Sequence, residues 1–286
     1  MPRGRSLEEQ IKWRLHPQLA IGQSKYLDKM MLDGHADKNK IYSWSTYNNY
    51  LKHALAFANW CHNTYGCNSL KQCRKHTQEY IDSRSHLSPW TLKLDVASLA
   101  KVYHEDGRDI AVTPARERQK IKRSRHDVAY DRHINRSHWE ELYAFAESTG
   151  LRRMELQCLR GNHIIEHDSK FYIVVDSGSK GGRYREAEIV GNQEQIARVV
   201  DRVRNTPADE KVFDRLPSGM DCHGCRRIYA QKVYDLYKQD VSTLSKKEIY
   251  ICRKDSHKVF CKKSMEITSK MLGHTRISVI AQSYLQ

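Results

Sequence analysis

Thr149-Gly150-Leu151-Arg152-Arg153-Met154-Glu155-Leu156 lies where one apolar periodicity stops and another begins. Gly150 reads as a helix stop, so Arg152 is fixed at the corner where the next helix starts, and Glu155 lies one turn further on, placed to orient it. Arginine suits such a corner when the ligand is a phosphate, because its planar fork donates paired hydrogen bonds and keeps its charge. Upstream, Ser137-His138-Trp139-Glu140 reads as a cap opening a helix to about residue 148. Downstream the period changes from helical to alternating. Residues 163–166, 171–176 and 184–190 are short β-prone runs, separated by His167-Asp168-Ser169-Lys170 and by Ser177-Gly178-Ser179-Lys180-Gly181-Gly182. They predict a three-stranded antiparallel sheet. Helices are expected again at 193–204, 222–237, 263–272 and 277–285, with a hairpin at 248–260.

The first hundred or so residues read as helices only. Ser6-Leu7-Glu8-Glu9 is a capping box ahead of a long helix; Trp44, Tyr47, Leu51, Ala54, Leu55, Ala58 and Cys61 form one apolar stripe ending near Gly66. A shorter helix is expected at 70–82, and Ser88-Pro89 caps another that closes near Gly107, giving a four-helix domain. The expected organisation is therefore a helical domain at 1–113, a basic linker at 114–136 and a second domain at 137–286. The fold class is mainly α with a small antiparallel β-sheet (α+β).

With 286 residues, 39% of them apolar, the chain has ample material for a core. Its 49 Lys plus Arg against 34 Asp plus Glu leave a formal charge of +15, which favours a polyanionic partner, nucleic acid before an anionic membrane. Arg116, Arg118, Lys120, Lys122, Arg123 and Arg125 crowd the linker beside Glu117 alone; they fit a solvated connector and equally a segment lying along a phosphate backbone. No run is long and apolar enough for a membrane span, and Met1-Pro2-Arg3-Gly4-Arg5 does not lead into a signal-peptide core. A cytoplasmic, nucleoid-associated protein is expected. The eight cysteines then read as reduced thiols. Cys222 and Cys225 with Cys252, His257 and Cys261 offer a zinc alternative, at an unfamiliar spacing.

Three further pieces of the second domain suit the same phosphate as Arg152. Lys180 sits at a glycine-rich strand turn; His223 and Arg226, three apart, share a face if a helix begins there; and Leu272-Gly273-His274 is followed ten residues later by Tyr284. In this order they resemble the tyrosine recombinases, the family of phage and transposon integrases and resolving recombinases. The resemblance is specific over 137–286, while the N-terminal domain resembles the family's core-DNA-binding module only in helix pattern and basicity. It implies a site-specific recombinase, or integrase, in which Tyr284 attacks a DNA phosphodiester to form a 3′-phosphotyrosyl link and release a 5′-hydroxyl. Arg152, Lys180, His223, Arg226 and His274 complete the implied catalytic set. An ordinary tyrosine titrates at about 10, so the phenol needs a base or surrounding positive charge; His223 is the first candidate base, with His274 binding the phosphate or sharing that role. The arginines would neutralise the non-bridging oxygens, and Lys180 would protonate the leaving oxygen.

Since one phosphodiester is exchanged for a linkage of similar energy, no cofactor and no metal are expected. The expected partner is double-stranded DNA, bound by protomers that are monomeric when free and form a homotetramer on two duplexes. Departures from the family pattern are a long stretch between Arg226 and His274, implying an insertion near 239–262, and only two residues beyond Tyr284, implying little or no tail for docking on the next protomer. Within the insertion, Tyr250-Ile251-Cys252-Arg253 places a second aromatic three residues before an arginine, a rival for the His223 and Arg226 pair. A type IB topoisomerase and a non-catalytic DNA-binding protein of a mobile element are the competing functions.

Overall fold

Caps and breakers account for where each element starts and stops. The computed structural model describes residues 4–32, 35, 37–117, 131–179, 184–252 and 257–285. The chain divides into two compact units, 1–120 and 121–286.

In the first unit, helix α1 (Leu7–Leu15) opens on the Ser6–Glu9 capping box and buries Ile11 and Leu15. The expected long helix is cut short there, because Pro17 lacks the N–H that a continuing helix needs and the chain tightens into a 3₁₀ turn. A separate α2 (Lys25–Met31) follows. Helix α3 (Trp44–Tyr65) starts at Ser43, buries Tyr47, Ala54, Phe57, Ala58 and Cys61, and ends at left-handed Gly66. The helix expected at 70–82 is instead two, α4 (Leu70–Cys73) and α5 (Thr77–Ser83), joined by a 3₁₀ turn at Arg74–His76. That break lets Arg74 grip Glu105 at 3.0 and 3.1 Å and lets the Thr77 hydroxyl donate to the Ile110 carbonyl at 2.7 Å. Long-range bonds of this kind leave no local trace in sequence. Helix α6 (Pro89–Tyr103) starts at Ser88 with Pro89 in its first turn and stops at left-handed His104, short of the expected Gly107; α7 (Gly107–Ile110) begins there, capped by Asp106. Val96, Leu99 and Ile110 join Phe57 and Tyr80 in one core cluster.

In the second unit the opening cap is Asn135, not Ser137: its side chain accepts from the Ser137 amide over a 3₁₀ turn, Arg136–Trp139. Helix α8 (Glu140–Thr149) buries Leu142, Tyr143, Phe145 and Ala146 and ends at Gly150, φ 62°. Only glycine fits, since a Cβ there would run into the ring of Tyr229. Helix α9 (Arg153–Cys158) follows, then β1 (Ile164–His167), β2 (Lys170–Val175) and β3 (Arg185–Glu188), an antiparallel sheet in the order β1-β2-β3 with Ile173 opposite both Ile164 and Ala187. Helices α10 (Gln193–Arg204) and α11 (Cys222–Tyr237) are capped by Asn192 and Asp221. Strands β4 (Ile249–Ile251) and β5 (Val259–Cys261) form the hairpin of the long stretch before α12 (Lys262–Met271) and α13 (Ser278–Ser283).

This unit has two apolar clusters. One gathers α8, the sheet and α10 with Cys222 and Cys225; the other gathers Tyr229, Val233, Phe260, Met265, Leu272, Ile280 and Tyr284. Helix α11 belongs to both. Arg226 lies on it between Cys225 of the first and Tyr229 of the second.

Candidate active site

Arg226 is wholly buried, a position that a guanidinium occupies only when its donors are matched. Its two terminal nitrogens donate to the carbonyls of Gly150 and Leu272, and its Nε donates to the Tyr284 hydroxyl at 3.3 Å. Gly150 and Leu272 are the C-caps of α8 and α12, so the cation meets the negative ends of two helices. Burial pulls its pKa down to about 10, which leaves it charged at neutral pH.

Arg152 is the N-cap of α9. Its amide donates to Glu155 Oε2 at 2.7 Å, its Nη1 to Oε1 at 2.8 Å, and its Nη2 to the Leu272 carbonyl at 3.5 Å. The same carboxylate takes a second fork from Arg185 on β3, Nη1 to Oε1 at 2.8 Å and Nη2 to Oε2 at 2.7 Å. Burial would raise the Glu155 pKa, but the Arg185 hydrogen bonds and charge, the Arg152 amide and Arg226 outweigh it and bring it down to about 2. Arg185 Nε donates to the Met271 carbonyl at 2.9 Å, at the end of α12.

The turn after α12 carries His274. Its amide donates to the Ser269 carbonyl at 2.9 Å and the Ser269 hydroxyl donates back to its carbonyl at 3.2 Å. Its Nε2 lies 3.3 Å from the Tyr284 hydroxyl. Burial first, then Arg226, Arg152 and Arg185, against the opposing pull of Glu155, lower its pKa to about 4. The imidazole is therefore neutral at pH 7 and able to accept a proton. Tyr284 follows α13 and is 4% exposed, packed in the second apolar cluster.

Arg152, Arg226, His274 and Tyr284 thus meet in one place, around Glu155 and Arg185. No protein-family profile and no curated protein matches the sequence. Among solved structures, XerH site-specific recombinase bound to difH substrate in a pre-cleavage complex is similar with TM-score 0.50 and 14% identity, over 100% of this chain and 95% of that one. This chain has the tyrosine-recombinase fold. The post-cleavage XerH complex on a palindromic difH substrate matches with TM-score 0.45 and 13% identity over 99% and 94% of the two chains, and XerA recombinase with 0.33 and 14% over 92% and 93%.

In this recombinase fold His223 occupies the first turn of α11, one turn before Arg226, with its side chain exposed. Lys180 lies outside the described residues. So do Arg118, Lys120, Lys122, Arg123 and Arg125 of the basic run, while Arg116 is exposed. Of the rival pair, Tyr250 is on β4 and packs on the second apolar cluster; Arg253 is outside the described residues. Cys222 and Cys225 belong to the first cluster and Cys252 to the second, and among the described residues no group of three or more His, Cys, Asp or Glu is arranged to hold a metal ion. No helix of the described residues is long and apolar enough to cross a membrane. Arg185 is the residue that sequence reasoning missed. Its only signal was a cation in a β-prone run, where an exposed position is the ordinary reading.

Proposed function

We propose that the chain is a site-specific DNA recombinase that cleaves and rejoins strands through a 3′-phosphotyrosyl link to Tyr284. The observation that carries this reading is the position of the Tyr284 hydroxyl, 3.3 Å from Arg226 Nε and 3.3 Å from His274 Nε2. Its oxygen accepts from a guanidinium that stabilises negative charge, and its proton faces a neutral imidazole. His274 takes the general-base role, with His223 left to bind the phosphate.

As the phenolic oxygen bonds to phosphorus, its proton passes to His274 Nε2 and the bond from phosphorus to the 5′-oxygen breaks, that oxygen taking a proton from Lys180. Rejoining runs the same steps backwards with the 5′-hydroxyl of a partner strand. Three guanidiniums, Arg152, Arg185 and Arg226, face the single carboxylate of Glu155, so the site carries a surplus of positive charge. A five-coordinate phosphorus centre gains negative charge, and a preorganised donor aimed at such charge typically contributes about 3–4 kcal/mol. The partner is double-stranded DNA, with a homotetramer assembled on two duplexes, and the basic residues 116–125 add backbone contacts.

The test is covalent capture. Nicked duplexes made from the DNA flanking the gene are incubated with protein, and adducts are resolved under denaturing conditions and mapped. Wild type should yield an adduct on Tyr284, and Tyr284→Phe should bind the same duplex and yield none. An adduct that persists in Tyr284→Phe, or maps to another residue, overturns the assignment.

A further inference from the structure

We infer that Arg185 is a positioning residue of this site, acting on the Tyr284 hydroxyl through Glu155 and through the turn that carries His274. The inference rests on the recombinase reading for its link to strand cleavage, and on geometry for the rest. Arg185 is 6% exposed and reaches no solvent-facing ligand. Each of its donors ends on something that holds a catalytic candidate. Its terminal nitrogens saturate Glu155, whose remaining bonds fix the Arg152 guanidinium and amide. Its Nε holds the Met271 carbonyl, next to the Leu272 carbonyl that both Arg226 and Arg152 use.

The stem of Arg185 also lies under the turn itself. Gly273 has φ 67°, and a Cβ built there would stand 3.1 Å from Arg185 Cδ. The Arg185 stem therefore supports the backbone of the turn that sets the His274 ring. The charged groups that face His274 are Arg226 from α11, Arg152 and Glu155 from the start of α9, and Arg185 from β3, with the Tyr284 hydroxyl beside it. Arg185 adds positive charge directly and also cancels Glu155. Both effects keep the imidazole neutral.

Two variants separate position from charge. Arg185→Lys keeps the charge but cannot span Glu155 and the Met271 carbonyl together; at saturating DNA its rate of adduct formation should fall about a hundredfold, the usual result of a displaced catalytic constellation. Its DNA affinity and the His274 titration, followed by imidazole NMR and assigned with His274→Gln, should stay close to wild type. Arg185→Met should lose the rate equally and move the His274 titration to higher pH. If Arg185→Met does not fold, Arg185→Lys decides alone through its rate and affinity. A folded Arg185→Lys protein that cleaves like wild type, or a folded Arg185→Met protein with an unmoved His274 titration, overturns the inference. If wild type forms no adduct while Arg185→Met still moves His274, the recombinase reading fails and the positioning role stands.

Discussion

The His274 imidazole makes the pH dependence of cleavage a sharp test. A histidine in water takes up a proton near 6.5, whereas burial and three neighbouring guanidiniums hold His274 neutral down to about 4. If it accepts the Tyr284 proton, the neutral fraction governs the rate on the acid side. At pH 5 an imidazole titrating at about 4 is about nine-tenths neutral, so the rate should be within about a tenth of its value at pH 7. An ordinary histidine would be only about 3% neutral there, and the rate would fall about 25-fold. The assay is adduct formation at sub-saturating DNA, which reports the free protein. Binding is measured in parallel with Tyr284→Phe at each pH, so that changes in DNA affinity can be divided out. At saturating DNA the acid limb should lie higher, because the bound phosphate places negative charge beside the imidazole. A limb near 6.5 at sub-saturating DNA, absent from His274→Gln, would mean that His274 takes up its proton like an imidazole in water, against the burial and charge that surround it.

Arg226→Lys can satisfy one of the two carbonyls but not both, and it withdraws Nε from the Tyr284 hydroxyl; single-turnover cleavage should fall by about a hundred- to a thousandfold, with DNA binding retained. Gly150→Ala should destabilise the purified protein by more than the roughly 1–2 kcal/mol of a left-handed L-residue, since its Cβ meets the Tyr229 ring as well, and so lower its melting temperature; an unchanged melting curve would contradict the packing. Because the Tyr284 hydroxyl meets Arg226 and His274 of its own chain, mixing Tyr284→Phe with Arg226→Lys should give no more adduct than the Arg226→Lys protein alone. Recovery of adduct in the mixture would mean that the tyrosine is delivered to a neighbouring protomer.

Local chemistry explains which parts of this fold could be read in advance. Helices α10 and α11 begin and end where the sequence predicts, because Asn192 and Asp221 cap them and the breaks that follow are chemical. The strands were visible because turn residues bracket them, and Asp168 and Ser169 do adopt φ 50° and 60°. The divided helix at 70–83, the early stop of α1 and the Asn135 cap were not visible as such, since each is decided by competition between two plausible local choices. The site divides along the same line. Arg152 and Glu155, three residues apart, announce their pairing. The partner of Glu155 on β3, thirty residues away, is set by how the strand packs against α12, and no spacing rule contains it.

A buried guanidinium is a weak argument for stability, because desolvation removes several kcal/mol that its contacts must restore. Arg226 is held despite that penalty because its donors meet carbonyls at the ends of α8 and α12, of which Leu272 has only a long second bond from Arg152, at 3.5 Å. The arrangement fixes two helices to α11 and at the same time directs a cation at the Tyr284 oxygen. It also leaves Arg152, Arg185 and Arg226 close together with one carboxylate, Glu155, among them, a crowding that an incoming phosphate would relieve. The electrostatic work of assembling the site is therefore done on folding, before any substrate arrives. In the proposed reaction, negative charge developing on the phenol or at phosphorus would meet donors already in place, and that absence of reorganisation would be the physical source of rate.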